Sequence, residues 1–240
     1  MTHDVNAVIE GAIAAGATEI LVADSHENLN NIHLEDLHPQ ARLLRGTPRD
    51  HSMMHGLDET YDAVFLIGYH TRHGVPGVLS HTMSRVIKNM YINGQVVGEF
   101  GFNAIYAGLY GVPVCLVSGD NLIAEEALGL IPDIQTAIVK YATSRTSAIC
   151  LSLQESREIL QEQASLALQR CKEIVPLTTE LPLELKIEFS HYGQAEMAAI
   201  VPETVIIPNT TEVTYYAKNQ SDMYKTMRAM MNLASSVPFC

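Results

Sequence analysis

The sequence predicts an α/β fold, a doubly wound and mostly parallel sheet followed by a smaller C-terminal α+β domain. In residues 1–145, short apolar runs typical of buried strands alternate with amphipathic helical patterns. After Arg145, a long amphipathic helix, a proline-rich break and alternating strands replace that pattern. Nine of the ten histidines occur by residue 81, and several of them follow predicted strands. These observations divide the chain into an α/β domain, residues 1–145, and a smaller second domain, residues 146–240.

Composition is that of a packed protein without a nucleic-acid surface. The chain has 240 residues, of which 47% are hydrophobic and 18% charged. The net charge of −12 disfavours nucleic acids and anionic membranes as partners. The polar N-terminus has no signal-peptide pattern, and no apolar run approaches the ~20 residues of a membrane span. The cysteines are widely spaced, so we expect a cytoplasmic protein with reduced thiols. They are Cys115, Cys150, Cys171 and Cys240.

The first domain is predicted to begin with a helix. Residues 4–15 carry apolar side chains at helical spacing, with Thr2 as the N-cap and Gly16 at the end. An ING turn signal predicts a β-hairpin within residues 86–97. The other strands are predicted at residues 19–23, 41–44, 63–68, 113–117 and 136–141. The other helices are predicted at residues 34–37, 51–57, 102–110 and 122–130.

The second domain is predicted to contribute to oligomerisation and to the substrate cleft. A helix over residues 154–174 precedes the proline-rich break, and a strand over 185–189 follows it. Residues 204–216 are rich in strand formers, and a methionine-rich helix covers 222–234.

The helical start is unusual, because the first helix of a parallel α/β domain normally crosses over from a preceding strand. One interpretation is a peripheral N-terminal helix. The other is that a leading strand is absent from this chain. The residue pattern leaves both open.

Candidate site residues follow the predicted strands. His26 and His70 end two of the apolar runs, and His81 follows a loop rich in glycine and proline. The carboxyl ends of parallel strands share one crevice, and imidazole is the commonest protein metal ligand. Glu99 opens a helix directly after a strand, where it could favour the helix dipole or complete a His/His/Glu metal set. Such a mixed nitrogen and oxygen set suits zinc, so the pattern predicts a metallohydrolase crevice.

Other polar residues permit several interpretations. Asp24 could be a ligand, an orienting group or a helix cap. His191 could reach a neighbouring site or cap a helix. The remaining histidines are expected to have surface or packing roles. No GxGxxG, P-loop or GxSxG motif occurs, so nucleotide binding and serine-hydrolase chemistry lack support.

Together these motifs resemble the D-aminopeptidase family of zinc peptidases, peptidase family M55. The resemblance covers essentially the whole chain, and the DSH, GYH, SH and GE signatures occur in order. It rests on ATEILVADSHENLNN, LIGYHTRHGVPGVLSHTMS, YINGQVVGEFGFNAIYAGLYGVPV, SGD at 118–120, and IEFSHYGQAEMA.

The resemblance implies a function and a site. His26, His70 and Glu99 would be zinc ligands, and His81 would be the catalytic histidine. Members of the family hold two zinc ions per subunit, release N-terminal D-amino acids from short peptides, and form ring-like homo-oligomers.

The chain departs from the family pattern at one point. The family begins with a strand that ends in an SxDxEG motif, whose Asp and Glu complete the two-metal site, and no such motif occurs here. We therefore expect fewer or more weakly bound zinc ions and impaired activity in this shortened form. A non-catalytic oligomeric or peptide-binding homologue is the alternative, although the retention of all four site residues argues against it. A metal-dependent amidohydrolase for L-configured or non-peptide substrates is a third possibility.

Overall fold

The computed structural model describes residues 1–238, so Cys240 lies outside the described residues. It confirms the predicted α/β class. The strands are β1 (Ile20–Ala23), β2 (Ala41–Leu44), β3 (Val64–Leu66), β4 (Ile87–Ile92), β5 (Gln95–Val97), β6 (Val114–Asp120), β7 (Gln135–Ser144), β8 (Ser147–Cys150), β9 (Leu183–Phe189), β10 (Val205–Ile206) and β11 (Glu212–Ala217). The helices are α1 (Thr2–Ala14), α2 (Glu99–Gly108), α3 (Asn121–Leu130), α4 (Leu153–Gln169), α5 (Tyr192–Ala198) and α6 (Gln220–Ala234).

Parallel pairing organises the first part of the chain. β1 and β2 form a two-stranded parallel sheet, and a second sheet has the order β3-β6-β7-β8. In that sheet β3, β6 and β7 are parallel, while β8 returns antiparallel to β7. Every residue of β6 is buried, as its apolar sequence requires in the middle of a parallel sheet.

An antiparallel sheet joins the two predicted domains. Its order is β10-β11-β9-β4-β5, so the β4–β5 hairpin pairs with a strand from the C-terminal part. The hairpin turn lies where the ING sequence predicted it, with Asn93 and Gly94 at φ values of 48° and 79°. The predicted boundary between residues 145 and 146 falls in the turn of the β7–β8 hairpin and stays a prediction.

A groove of about 970 Å³ lies between β1 and β3. Within residues 1–238, β1 pairs only with β2, and β3 pairs only with β6. The groove is lined by both strands and by Val8, Ile9 and Ala12 of α1. The part of the molecule around β1 and β2 also has its own small hydrophobic cluster, separate from the main core. That cluster is centred on Ile9, Ile32 and Leu37.

Several element boundaries differ from the sequence prediction. α1 begins with Met1 rather than Thr2 as its N-cap, and the Thr2 hydroxyl instead accepts a hydrogen bond from the His33 amide. α4 ends at Gln169 rather than at residue 174, before the Val175–Pro176 pair that disfavours helical backbone. Residues 34–36 and 52–54 form short 3₁₀ helices. β8 and α5 were not predicted. Among the described residues, no helix combines the length and apolarity needed to cross a membrane.

Candidate metal centre

Three of the predicted site residues lie together. One ligand atom from each of His70, His81 and Glu99 falls within 4.8 Å of the others. His70 follows β3, His81 lies in the loop after it, and Glu99 is the first residue of α2. Glu99 is buried, and the His70 and His81 side chains are 19% and 32% exposed. The cluster is therefore partly buried.

Backbone carbonyls fix which nitrogen each imidazole presents. Nδ1 of His70 lies 3.1 Å from the Thr71 carbonyl oxygen, and Nδ1 of His81 lies 2.7 Å from that of Leu79. A carbonyl oxygen can only accept, so each Nδ1 carries the proton and each Nε2 keeps its lone pair. The rings stack with centroids 4.1 Å apart. Both Nε2 atoms point to Glu99 Oε1, at 3.6 Å from His70 and 3.4 Å from His81.

This arrangement fits a cation. Two lone pairs and a carboxylate oxygen face one another, and no hydrogen lies between them in the neutral imidazole form. Burial lowers the pKa of His70, the Glu99 carboxylate raises it, and the His81 charge lowers it again, with a net lowering. The neutral imidazole is the form that binds metals. Imidazole nitrogens and carboxylate oxygens are both donor types that zinc binds in proteins.

Backbone contacts hold Glu99 and the residue before it. The Met83 amide donates to Glu99 Oε1 at 2.7 Å. The neighbouring Gly98 packs so closely that an added Cβ would lie 2.7 Å from the Cβ of Arg72. The Arg72 amide in turn donates to the partly buried Glu126 carboxylate at 3.0 Å. The loop that carries His70 and the start of α2 are thus packed as one unit.

The Ser118-Gly119-Asp120 segment at the end of β6 positions the histidine loops. Ser118 accepts hydrogen bonds from the Gly68 and Tyr69 amides, at 2.9 and 2.8 Å. Asp120 accepts one from Val78 at 2.6 Å and caps α3. These positioning roles were not predicted, although polar residues directly after a fully apolar run were a visible signal.

A series of buried hydrogen bonds links Tyr69, which follows β3, to α2 and α6. The Asn103 amide donates to the Tyr69 hydroxyl at 2.9 Å, and the Tyr224 hydroxyl donates to the Asn103 carbonyl at 3.2 Å. Burial raises the pKa of both tyrosines, so both hydroxyls keep their protons. Through this series α6 contacts the residue before His70, a connection that sequence periodicity could not reveal.

His26 lies outside the cluster of three. Its side chain is 59% exposed, and its Nε2 lies 3.9 Å from Glu27 Oε1. It is nevertheless near enough to His70 for its charge to contribute to the lowered pKa of that residue. Its predicted role as a ligand stays a prediction.

Asp24 anchors the loop that carries His26. The buried carboxylate accepts hydrogen bonds from the Ile32 amide at 2.7 Å, the Asn31 side chain at 3.1 Å and the Asn31 amide. Burial raises the pKa of Asp24, but these hydrogen bonds outweigh that effect and hold the pKa below its ordinary value. Of the interpretations that the sequence left open, the observed contacts are those of an orienting group. His191, by comparison, occupies the N-cap position of α5.

We expect Asp24→Asn to lower the free energy of unfolding by about 2 kcal/mol, because an amide group then faces backbone donors. Since the folded pKa of Asp24 is lowered, its contribution is present above the ordinary pKa of about 3.9 and is lost as the pH falls through the folded value. Urea unfolding at neutral and acid pH measures both effects. A variant as stable as the wild type at neutral pH would contradict this role.

The comparisons with known proteins agree with the site. A sequence model described as D-aminopeptidase, peptidase family M55, matches residues 1–229. The D-aminopeptidase of Bacillus subtilis (strain 168) is 43% identical over 240 residues, which is all of this chain and 88% of the relative. A solved structure, described as the Zn-dependent D-aminopeptidase DppA from Bacillus subtilis, a self-compartmentalizing protease, matches with a TM-score of 0.98. The match covers 100% of this chain and 87% of that one, at 43% identity. The chain therefore belongs to the M55 family of D-aminopeptidases, which are hydrolases.

Proposed function

We propose that this chain is a zinc-dependent aminopeptidase that releases N-terminal D-amino acids from short peptides. The observation that carries the proposal is the convergence of His70 Nε2, His81 Nε2 and Glu99 Oε1 in one partly buried cluster. The preference for D-amino acids comes from the relatives and not from the geometry of these three side chains.

In this proposal His70 and Glu99 hold the metal, and His26 contributes from the neighbouring loop. When bound, zinc supplies a Lewis acid that polarises the peptide carbonyl and lowers the pKa of water. The protein fixes its ligands in advance, because Thr71 orients His70 and the Met83 amide orients Glu99.

His81 is the proposed catalytic histidine. It is the more exposed imidazole of the cluster, and its Nδ1 is fixed on the Leu79 carbonyl. Its Nε2 is therefore free to accept a proton from the attacking water and to return it to the departing amine. The nearby Glu99 carboxylate stabilises the imidazolium that exists between these two steps.

The 240-residue chain is further proposed to bind fewer zinc ions, or to bind them more weakly, than the two per subunit expected for the family. The SxDxEG carboxylates do not occur in its sequence, and His26 lies outside the one donor cluster among residues 1–238. A second metal would need a negative group between His26 and His70 to offset the repulsion of two cations. The groove between β1 and β3 is lined by Asp24 and Ser25, just before His26, and by Gly68 and Tyr69, just before His70.

We also propose a ring-like homo-oligomer, because the relative of known structure is described as self-compartmentalizing. The cytoplasm stays the proposed location.

An assay with D-alanyl and L-alanyl dipeptides tests the function. We expect slow, D-specific release of alanine that a chelator abolishes and zinc restores, at a turnover below the typical ~10 s⁻¹. His81→Ala should retain its zinc but lose at least about a hundredfold in turnover. Release from L-peptides only, or activity that survives the chelator, would overturn the function.

Metal analysis of the same preparation tests the proposed zinc content. We expect at most one tightly bound zinc per chain, and a second only when a strand with the SxDxEG motif expected for the family is fused before Met1. Two tightly bound zinc ions on the unfused chain, with ordinary turnover, would contradict the impairment and leave the proposed function standing.

A further inference from the structure

We propose that Arg145, in the turn of the β7–β8 hairpin, is a positioning residue that fixes the imidazole of His81. The proposal rests on the proposed function only for the importance of His81. The contacts that carry it join Arg145 to Leu79 and Ser80, the two residues before His81.

The orientation of His81 depends on the residue two positions before it. The Leu79 carbonyl accepts the Nδ1 proton of His81, at 2.7 Å, and this bond determines which nitrogen faces Glu99. Leu79 itself has a φ of 57°, a left-handed conformation that is strained for a leucine. Such a conformation persists only where the surrounding structure holds it.

Arg145 provides that support through three hydrogen bonds. Its carbonyl oxygen accepts from the Leu79 amide at 2.7 Å. Its guanidinium donates to the Ser80 carbonyl twice, from Nε at 3.3 Å and from Nη2 at 3.2 Å. A planar guanidinium with two donors on one oxygen fixes direction as well as distance. The two residues before His81 are thus held by one residue far away in the sequence.

The hairpin is rigid enough to act as a support. β7 pairs with β6 on one side and with β8 on the other. Across the turn, the Ser147 hydroxyl lies 2.7 Å from that of Thr143 and 2.8 Å from that of Ser144. The Ala142 amide donates to the Asn121 side chain at 2.9 Å, which joins the hairpin to the start of α3. Arg145 therefore connects the sheet β3-β6-β7-β8 to the loop that carries His81.

The test compares Arg145→Ala with Arg145→Gln, which retains side-chain donors without the charge. The first readout is the tautomer of His81, measured by long-range ¹H–¹⁵N NMR on the metal-free protein at about pH 8, where histidine is neutral. We expect the wild type to hold the Nδ1–H form, Arg145→Ala to populate both tautomers, and Arg145→Gln to recover most of the wild-type population. Arg170→Ala is the control. It removes an arginine that pairs with Glu173 just after α4, and it should leave the His81 tautomer unchanged.

The second readout is kinetic. Arg145→Ala should lower kcat about tenfold with a smaller change in KM, as expected when the support of a catalytic group is lost. A His81 tautomer in Arg145→Ala identical to that of the wild type would overturn the proposal. If the chain proves inactive, the NMR result alone decides, so failure of the proposed function and failure of this inference are separable.

Discussion

Replacing Glu99 with Gln is expected to lower the zinc affinity of this chain by at least about a hundredfold, since loss of a supporting group alone costs ten- to a hundredfold. The substitution removes the only negative charge that faces both Nε2 atoms within the His70, His81 and Glu99 cluster. The metal-free protein should be close to the wild type in stability, because the oxygen of Gln can keep the hydrogen bond from the Met83 amide and the negative charge that faced the two imidazole lone pairs is removed. Competition titration against a chelating dye, with thermal unfolding of the metal-free form, measures both quantities.

Glu126→Gln is the matched control for this experiment. Glu126 is a partly buried carboxylate next to Gly98 at the start of α2, and its Oε2 accepts a hydrogen bond from the Arg72 amide. Burial raises its pKa, so it is poorly suited to supply negative charge, and Gln keeps the acceptor. We expect its zinc affinity to stay within about threefold of the wild type. Equal losses in the two variants would show that general packing, and not the Glu99 charge, governs metal binding.

Gly119→Ala should lower the free energy of unfolding by about 3 kcal/mol and should weaken zinc binding at the same time. An added Cβ would lie 2.3 Å from the Tyr69 carbonyl oxygen and 2.6 Å from a methyl carbon of Ile123. The strand end that carries Tyr69 must therefore retreat, and His70 is the next residue. Urea unfolding and the same dye titration report the two effects.

Gly129→Ala provides the comparison, because Gly129 lies in α3 and no atom is within 4 Å of its added Cβ. Alanine in a helix is favoured over glycine by up to about 1 kcal/mol, so this variant should be slightly more stable than the wild type. A Gly119→Ala protein within 0.5 kcal/mol of the wild type, on the order of measurement error for single substitutions, would refute the close approach of β6 to Tyr69.

Much of the fold follows from local pattern. The apolar run before His70 and the fully apolar run before Ser118 predicted β3 and β6, since strands buried on both faces carry continuous apolar sequence. The pairing of β4 with β9 did not follow, because it joins residues about a hundred positions apart and no local periodicity encodes it. β8 was missed because its sequence is short and mostly exposed, without the alternation of a half-buried strand.

The candidate site residues that follow strands could be predicted from the sequence. The contacts that orient the loops carrying them could not. His70 and Glu99 lie beside a strand end and at a helix start, and the structure brings them together. His81 was singled out from its loop, but its support by Arg145 depends on a turn 64 residues later. The direction of the His26 side chain depends on a loop whose anchor, Asp24, had several possible roles in the sequence.

β1 and β2 are separate from the sheet β3-β6-β7-β8, which has a consequence for the cooperativity of unfolding. A two-stranded sheet is marginally stable by itself, and this one depends on α1 and the small cluster around Ile9, Ile32 and Leu37. The free energy of local opening should therefore be lower for this segment than for β6, which lies inside the main core. Amide hydrogens of Leu21 and Val22 should exchange with solvent sooner than that of Leu116. We therefore expect the segment that carries His26 to open locally under conditions in which the segments that carry His70 and Glu99 stay folded.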